Sequence, residues 1–426
     1  MSADQTRAAE FTRSPCFVNR ERARQVMADQ RLDALVGATD ANLYYLSGHA
    51  PDSVLAHFWD QWAAAVLPAH EGAPPCLITS EYDLAYCATH ETWMPELRVY
   101  GAEWSSAATL LDQINRGHGV DTELRPRLRE LYRATWDGRT PSLVSSIARY
   151  IDDELPSGTV RVGFDDVRLG WAVQAEVGDR LEVVDGHPPL RRIRLVKTPP
   201  EIELLRRAAA INDQALHASA DAIVEGRSWY DMIRAYREAL NRFDAKPMGE
   251  RGMLFAAGPD GSFVLDHDYV ARKTFAPGQA VVMDVICTYR MYHADMARTA
   301  MVGEPSKRHR ELHAAVKDAL EEAEKELRPG VHTSGPQAVA ADTFRKHGLD
   351  PGTSTLVFHP IGLNIFDYGA PEDGIEGWTL EANTVINFEV FYRDAEHGGI
   401  HLEDTVMVTD NGLEFFSEVP REMIVR

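Results

Sequence analysis

The segment VVMDVICTYRMYHADMARTAMVG, residues 281–303, reads as two apolar strands that each carry an aspartate. Val281, Val282, Met283, Val285 and Ile286 form a β-branched, apolar run bounded upstream by Pro277-Gly278, and a second run covers residues 292–302. A chain reversal at Tyr289-Arg290 sets Asp284 directly opposite Asp295. Like charges facing each other across a hairpin repel, and buried carboxylates cost more still unless they are paired or bound to a metal. Either one aspartate points to solvent, or a cation lies between the two.

Three more polar side chains interrupt strand-like segments further along. His359 closes TLVFH ahead of Pro360-Ile361-Gly362, Glu389 lies within TVINFEVFY, and Glu403 lies within IHLEDTVMV. Each alone has an ordinary explanation, a core histidine or a solvent-facing glutamate. Together the five residues offer four carboxylates and one imidazole, enough for two divalent ions that share bridging carboxylates. Such a mostly oxygen set suits manganese, iron, cobalt or zinc. Ions ~3.5–4 Å apart acidify a bridging water and clamp a reacting carbonyl.

The rest of the chain narrows the class. Its 426 residues suffice for two domains, and 44% hydrophobic with 26% charged residues is ordinary for a soluble globular protein. The net charge of −21 argues against nucleic acid and anionic membranes as partners. The first residues lack the apolar core of a signal peptide, no run is long enough for a membrane helix, and the four cysteines show no CxxC spacing. A reducing cytoplasm is the expected compartment. Helix-like segments (20–32, 140–155) and strand-like ones (33–38, 159–166, 181–186) alternate before residue 190. Near residue 197 the character changes: Pro199-Pro200 opens a helix with Glu201 and Glu203 in its first turn, and long helices then alternate with hairpins. That pattern is α+β.

The order Asp, Asp, His, Glu, Glu, with Asp295 eleven positions after Asp284, resembles the metal centre of the pita-bread metallopeptidases. That superfamily includes aminopeptidase P, prolidase, methionine aminopeptidase and creatinase. DMARTAMVG (295–303), FHPIGL (358–363) and HLEDTVMVTDNG (401–412) resemble its signature strands. DANLYYLSGH (40–49) resembles a segment of the N-terminal domain in its two-domain members, and RLVKTPPEIELLRRAA the linker that opens the catalytic domain. The resemblance implies a creatinase/prolidase-like domain over residues 1–196 and a pita-bread catalytic domain over 197–426. It implies Asp284, Asp295, His359, Glu389 and Glu403 as ligands of two divalent ions, manganese first, with Asp295 and Glu403 bridging. Glu389 would also be the general base. His267, seventeen positions before Asp284, would steady the substrate or its oxyanion. Arg298 and Thr299 would brace the site. Homodimerisation is implied as well, and His57, Trp59 and Trp62 form either an aromatic wall for a neighbouring subunit or core packing.

The departures bear on substrate. Phe366 stands where peptidases of this type carry a second histidine, Glu389-Val390-Phe391 replaces Glu-Pro-Gly, and His401 replaces an arginine. No arginine lies between His359 and Glu389 to hold a substrate carboxylate. Asp367, His401 and His293 are the candidate replacements for the missing proton carrier. The expected function is hydrolysis of an amide or peptide C–N bond in a short peptide or small molecule. Phe366 and His401 would touch a substrate with an apolar or cationic portion, and ordinary Xaa-Pro dipeptides would be poor. The alternatives are a lyase of a small onium carboxylate such as dimethylsulfoniopropionate, and a non-catalytic scaffold.

Overall fold

A computed structural model describes residues 12–57, 60–101, 106–249, 252–263, 269, 272–369 and 377–426. Contacts divide the chain into two units, Met1–Arg194 and Leu195–Arg426.

The first unit carries a six-stranded mixed sheet built from β1 (Ala34–Gly37), β2 (Ala64–Pro68), β3 (Cys76–Ser80), β4 (Glu96–Tyr100), β5 (Val160–Phe164) and β6 (Leu181–Asp185). Its spatial order is β4-β3-β2-β1-β5-β6, with β2 antiparallel to both neighbours and the other pairs parallel. Trp62 is 3% exposed and its indole N–H donates to Asp83, which settles it as core. His57 is exposed, and Trp59 lies outside the described residues.

The second unit is α+β. Helix α1 (Pro199–Asp221) opens where Glu201 reaches back to the Thr198 amide at 2.8 Å, with proline in its first turn. Helices α2 (Trp229–Asn241), α3 (Lys307–Glu324) and α4 (Ser334–Lys346) follow. Six strands run through a nine-stranded sheet in the order β7-β8-β9-β12-β11-β10. They are β7 (Met253–Ala257), β8 (Ala280–Tyr289), β9 (Tyr292–Met301), β10 (Ser354–Pro360), β11 (Val385–Asp394) and β12 (Gly398–Thr409).

Strand alternation sorts the side chains of this sheet onto two faces. Val281, Met283, Val285 and Cys287 pack under Ala208, Ile211 and Leu216 of α1 and Met232, Ile233 and Tyr236 of α2. Ile386, Phe388, Val390, Leu402 and Val406 pack with Leu312, Val316 and Leu320 of α3. The helices therefore cover one face, and residues of the opposite parity are left for the other. Among the described residues, no helix is long and apolar enough to cross a membrane.

The β8–β9 register corrects the expected pairing. Asp284 faces Ala297 and Asp295 faces Ile286, because the turn is Arg290-Met291 rather than Tyr289-Arg290. Both turn residues take positive φ, 47° and 68°, the left-handed pair of a tight two-residue hairpin. Asn-Gly is the usual solution there, and a residue with a Cβ costs about 1–3 kcal/mol at each such position. The shift of two residues keeps both aspartates on one face, as diagonal rather than direct neighbours. Replacing the pair by Arg290→Asn with Met291→Gly should raise the unfolding free energy by ~1 kcal/mol. A denaturation midpoint that stayed put or fell would mean that contacts of the two native side chains outweigh the backbone relief.

Candidate metal centre

Register brings the five expected ligands onto one face. Ala297 pairs with Glu403, Glu403 with Glu389, and Glu389 with Val357, two residues from His359 on the same strand. Asp284 and Asp295 join this face from the β8–β9 hairpin.

Two donor groups close within 4.8 Å among the described residues: Asp295, His359 and Glu403, and Glu389, His401 and Glu403. Glu403 belongs to both. His359 Nε2 lies 3.6 Å from Glu403 Oε1 and 4.0 Å from Asp295 Oδ2. Its Nδ1 donates to the Ile365 carbonyl at 2.8 Å, which fixes the tautomer and leaves the Nε2 lone pair facing the carboxylates. Asp284 shares the face but stands outside both groups. Its Oδ1 and that of Asp295 are buried without a hydrogen-bond partner. Orphaned carboxylate oxygens at the centre of an acidic, β-rich face fit a divalent cation, whose positive charge would satisfy them.

The electrostatics agree. Burial and the charge of Glu403 push Asp284 up to about 7, and the same two causes push Asp295 well above the carboxylate range. Glu389 behaves differently. Burial works against its charge, yet the His401 hydrogen bond and charge win and hold it below the usual value. His401 Nε2 meets Glu389 Oε2 at 2.6 Å, and despite burial that contact raises the imidazole above its ordinary value.

An outer layer that the sequence did not single out holds these ligands. Asn387 donates to Glu403 Oε1 at 2.8 Å and to the Asp295 carbonyl at 3.0 Å, while Thr405 donates to the same carbonyl at 2.9 Å. Strand parity was the available signal, since Asn387 and Thr405 each sit two residues from a ligand. Arg298 braces the site as expected. Its guanidinium donates to five acceptors, the carbonyls of Ala297, Glu403, Val419 and Pro420 and the Asp404 carboxylate, at 2.6–2.9 Å. Thr299 exchanges two hydrogen bonds with the His401 backbone.

The other expected residues fall as follows. Phe366 is 45% exposed, with its ring 4.4 Å from that of His359. Asp367 is buried in an ion pair with Lys197 at 2.6 Å, which removes it as a proton carrier. His293 turns to the Gly362 carbonyl. His267 lies outside the described residues. A cavity of ≈ 190 Å³ opens beside the ligands, lined by Asp284, Glu389 and His401 and also by Phe391, Thr355 and Arg393. Phe366 is not part of that lining. The lining also includes a guanidinium, that of Arg393, four residues past Glu389 on the same strand.

Sheet, helices and carboxylate face together define a pita-bread metal-dependent hydrolase. The sequence model of metallopeptidase family M24 matches residues 203–410, and that of the creatinase/prolidase N-terminal domain matches residues 19–196. The chain belongs to metallopeptidase family M24 as a two-domain member. It is 23% identical to a Xaa-Pro dipeptidase of Pyrococcus horikoshii over 94% of this chain and 97% of that one. It is 27% identical to a Xaa-Pro dipeptidase of Pyrococcus furiosus over 55% of this chain and 66% of the relative. A solved Xaa-Pro dipeptidase from Bacillus anthracis shares the fold, with a TM-score of 0.72, 18% identity and coverage of 96% and 99%.

Arg298→Met removes one of the two guanidinium donors to Asp404 and the donor to four carbonyls. It should cost ~3–5 kcal/mol in denaturant unfolding, the scale for breaking a buried ion pair. A loss under ~1 kcal/mol would mean that water or Arg421, which also donates to Asp404 at 2.7 Å, takes over the role.

Proposed function

We propose that Asp284, Asp295, His359, Glu389 and Glu403 hold two divalent ions, manganese before iron, cobalt or zinc, with Asp295 and Glu403 bridging. The observation that carries this reading is the place of Glu403 in both donor groups. Two such ions lower the pKa of a shared water and polarise a carbonyl. The chain's own residues manage the protons. Glu389, held ionised, accepts the proton of the attacking water as general base, and His401 at 2.6 Å is the next carrier. His401 therefore acts through Glu389 rather than on the substrate alone. His267 supplies the donor to the substrate or its oxyanion.

The substrate is a short peptide or small amide cleaved at a C–N bond. Two of the relatives and one solved neighbour are named as Xaa-Pro dipeptidases, which favours hydrolysis over elimination and makes prolyl dipeptides the first class to test. The family matches, ending at 196 and resuming at 203, support a catalytic domain from residue 197. A cytoplasmic homodimer completes the proposal by likeness to two-domain members.

Purified protein should carry close to two divalent ions, and a strong chelator should abolish activity until metal is returned. Asp295→Asn and Glu403→Gln should each lose the second ion. Full metal content and activity in both variants would remove the bridging roles.

His267→Ala should lower turnover by ~10²–10³ with metal content unchanged, the loss expected for one oxyanion donor. An effect below about threefold would remove His267 from the substrate-binding role.

A further inference from the structure

The loop that follows β10, residues 361–367, supplies what the His359 imidazole leans on. Its Ile365 carbonyl accepts the Nδ1–H bond at 2.8 Å, and Phe366 sets its ring against the same imidazole. An irregular loop needs fixings of its own to hold a ligand to a fraction of an ångström. The Asp367 amide donates to the Pro360 carbonyl at 2.8 Å and closes the loop at its neck. The Asn364 amide donates to Asp367 Oδ1 at 3.2 Å, and the His293 amide on β9 donates to the Gly362 carbonyl at 2.8 Å. From outside the loop comes Lys197, whose Nζ donates to Asp367 Oδ2 at 2.6 Å, with both side chains buried.

Lys197 belongs to the segment that opens the second unit. Val196 pairs with Thr384, and the Lys197 amide donates to the Asn383 carbonyl at 2.9 Å, so its backbone is tied to the chain entering β11. The next residue, Thr198, caps α1. A lysine anchored at its backbone and buried at its ammonium is a fixed point, unlike a flexible surface charge. Gly362 permits the close approach: a Cβ there would stand 2.4 Å from Asp367 Oδ2 and 2.9 Å from Lys197 Nζ. Glu201 feels the same ammonium. Burial pushes its carboxyl up to about 7 although Lys197 pulls the other way, and the Tyr292 hydroxyl donates to it at 3.3 Å. A buried ion pair is a costly way to add stability, since apolar residues of similar volume often do as well or better. Its use is to specify one geometry, and the geometry specified here is that of the loop behind His359.

We propose that Lys197 is a positioning residue for the metal centre: through Asp367 it locks the 361–367 loop, and the loop holds His359 in the tautomer and orientation that meet an ion. Lys197 touches neither ion nor substrate and acts entirely through the loop. The inference rests on the two-ion reading above and deepens it.

The test uses the full-length protein as Lys197→Met, as Asp367→Asn and as the double variant. The double variant leaves no lone buried charge, so it supplies a folded comparison if a single change proves too costly. Manganese dissociation is measured by competition with a chelator, the visible spectrum of the cobalt-loaded protein reports the ligand set, and amide hydrogen exchange follows residues 361–367. Lys197→Met should bind manganese about 10-fold more weakly, the low end of what a residue behind a metal ligand contributes. Its cobalt spectrum should change, and its loop amides should exchange faster. Asp367→Asn should shift all three in the same direction, and the double variant should bind no more weakly than Lys197→Met, because both residues act through one contact. A lowered melting temperature with metal affinity, cobalt spectrum and loop exchange at wild-type values would overturn the proposal, and so would losses of affinity that simply add. Wild-type protein that binds no divalent ion would overturn the metal centre itself, and the role of Lys197 with it. Weakened metal binding in the variants, without cleavage of any amide by the wild type, would sustain Lys197 and overturn the hydrolase reading instead.

Discussion

Four carboxylates gathered on one face of a sheet form the constraint around which the second unit is arranged. Two unit charges 4 Å apart repel by ~1 kcal/mol in water and ~4 kcal/mol at the effective dielectric of a partly buried site. A set of four left ionised and uncompensated would exceed what a marginally stable domain tolerates. Burial first, and the charge of Glu403 second, raise the pKa of Asp284 and of Asp295, so this face favours a bound proton or cation over bare charge. Metal binding at such a face displaces protons, so affinity for the ions rises with pH.

Geometry on this face is held from behind and from the side. Between β9 and β12 a single residue pair, Ala297 with Glu403, makes the ladder. Arg298 and Thr299 add side-chain bonds to the backbone at Glu403 and His401 across the same seam. Asn387 and Thr405 tie the two strand pairs together at the Asp295 carbonyl. The proposed ligands come from two hairpin-like halves, Asp284 and Asp295 from one, His359, Glu389 and Glu403 from the other. Misplacing either half by a fraction of an ångström would change which oxygens meet, which explains the density of buried polar bonds there.

Much of this was legible in the sequence, and for identifiable reasons. The proposed ligands stand out because a carboxylate or imidazole in an apolar, β-branched strand violates a strong local rule, and five such violations coincide. Faces show because parity is local: moving the β8–β9 turn by one residue shifts the register by two and leaves Asp284 and Asp295 on the same side. The turn was misplaced because Arg290-Met291 lacks the glycine or asparagine that normally marks one. The separation of roles around His401 was not legible, since its Nε2 contact with Glu389 depends on strands pairing across twelve residues of sequence.

The Arg290-Met291 turn has a bearing on how the molecule forms. A hairpin nucleates readily when its turn sequence prefers the required conformation, and this pair opposes it. Closure of the β8–β9 hairpin then depends on what packs against it: β7 and β12 at its edges, α1 and α2 on its apolar face. Such a hairpin condenses with its surroundings rather than before them, and mutations at its tip belong to the class that alters unfolding more than folding rates. Asp284 and Asp295 consequently become neighbours late, after the sheet that confines them exists. A nascent chain therefore presents isolated aspartates to the cell's metal ions, and the chelating face appears only with the finished domain.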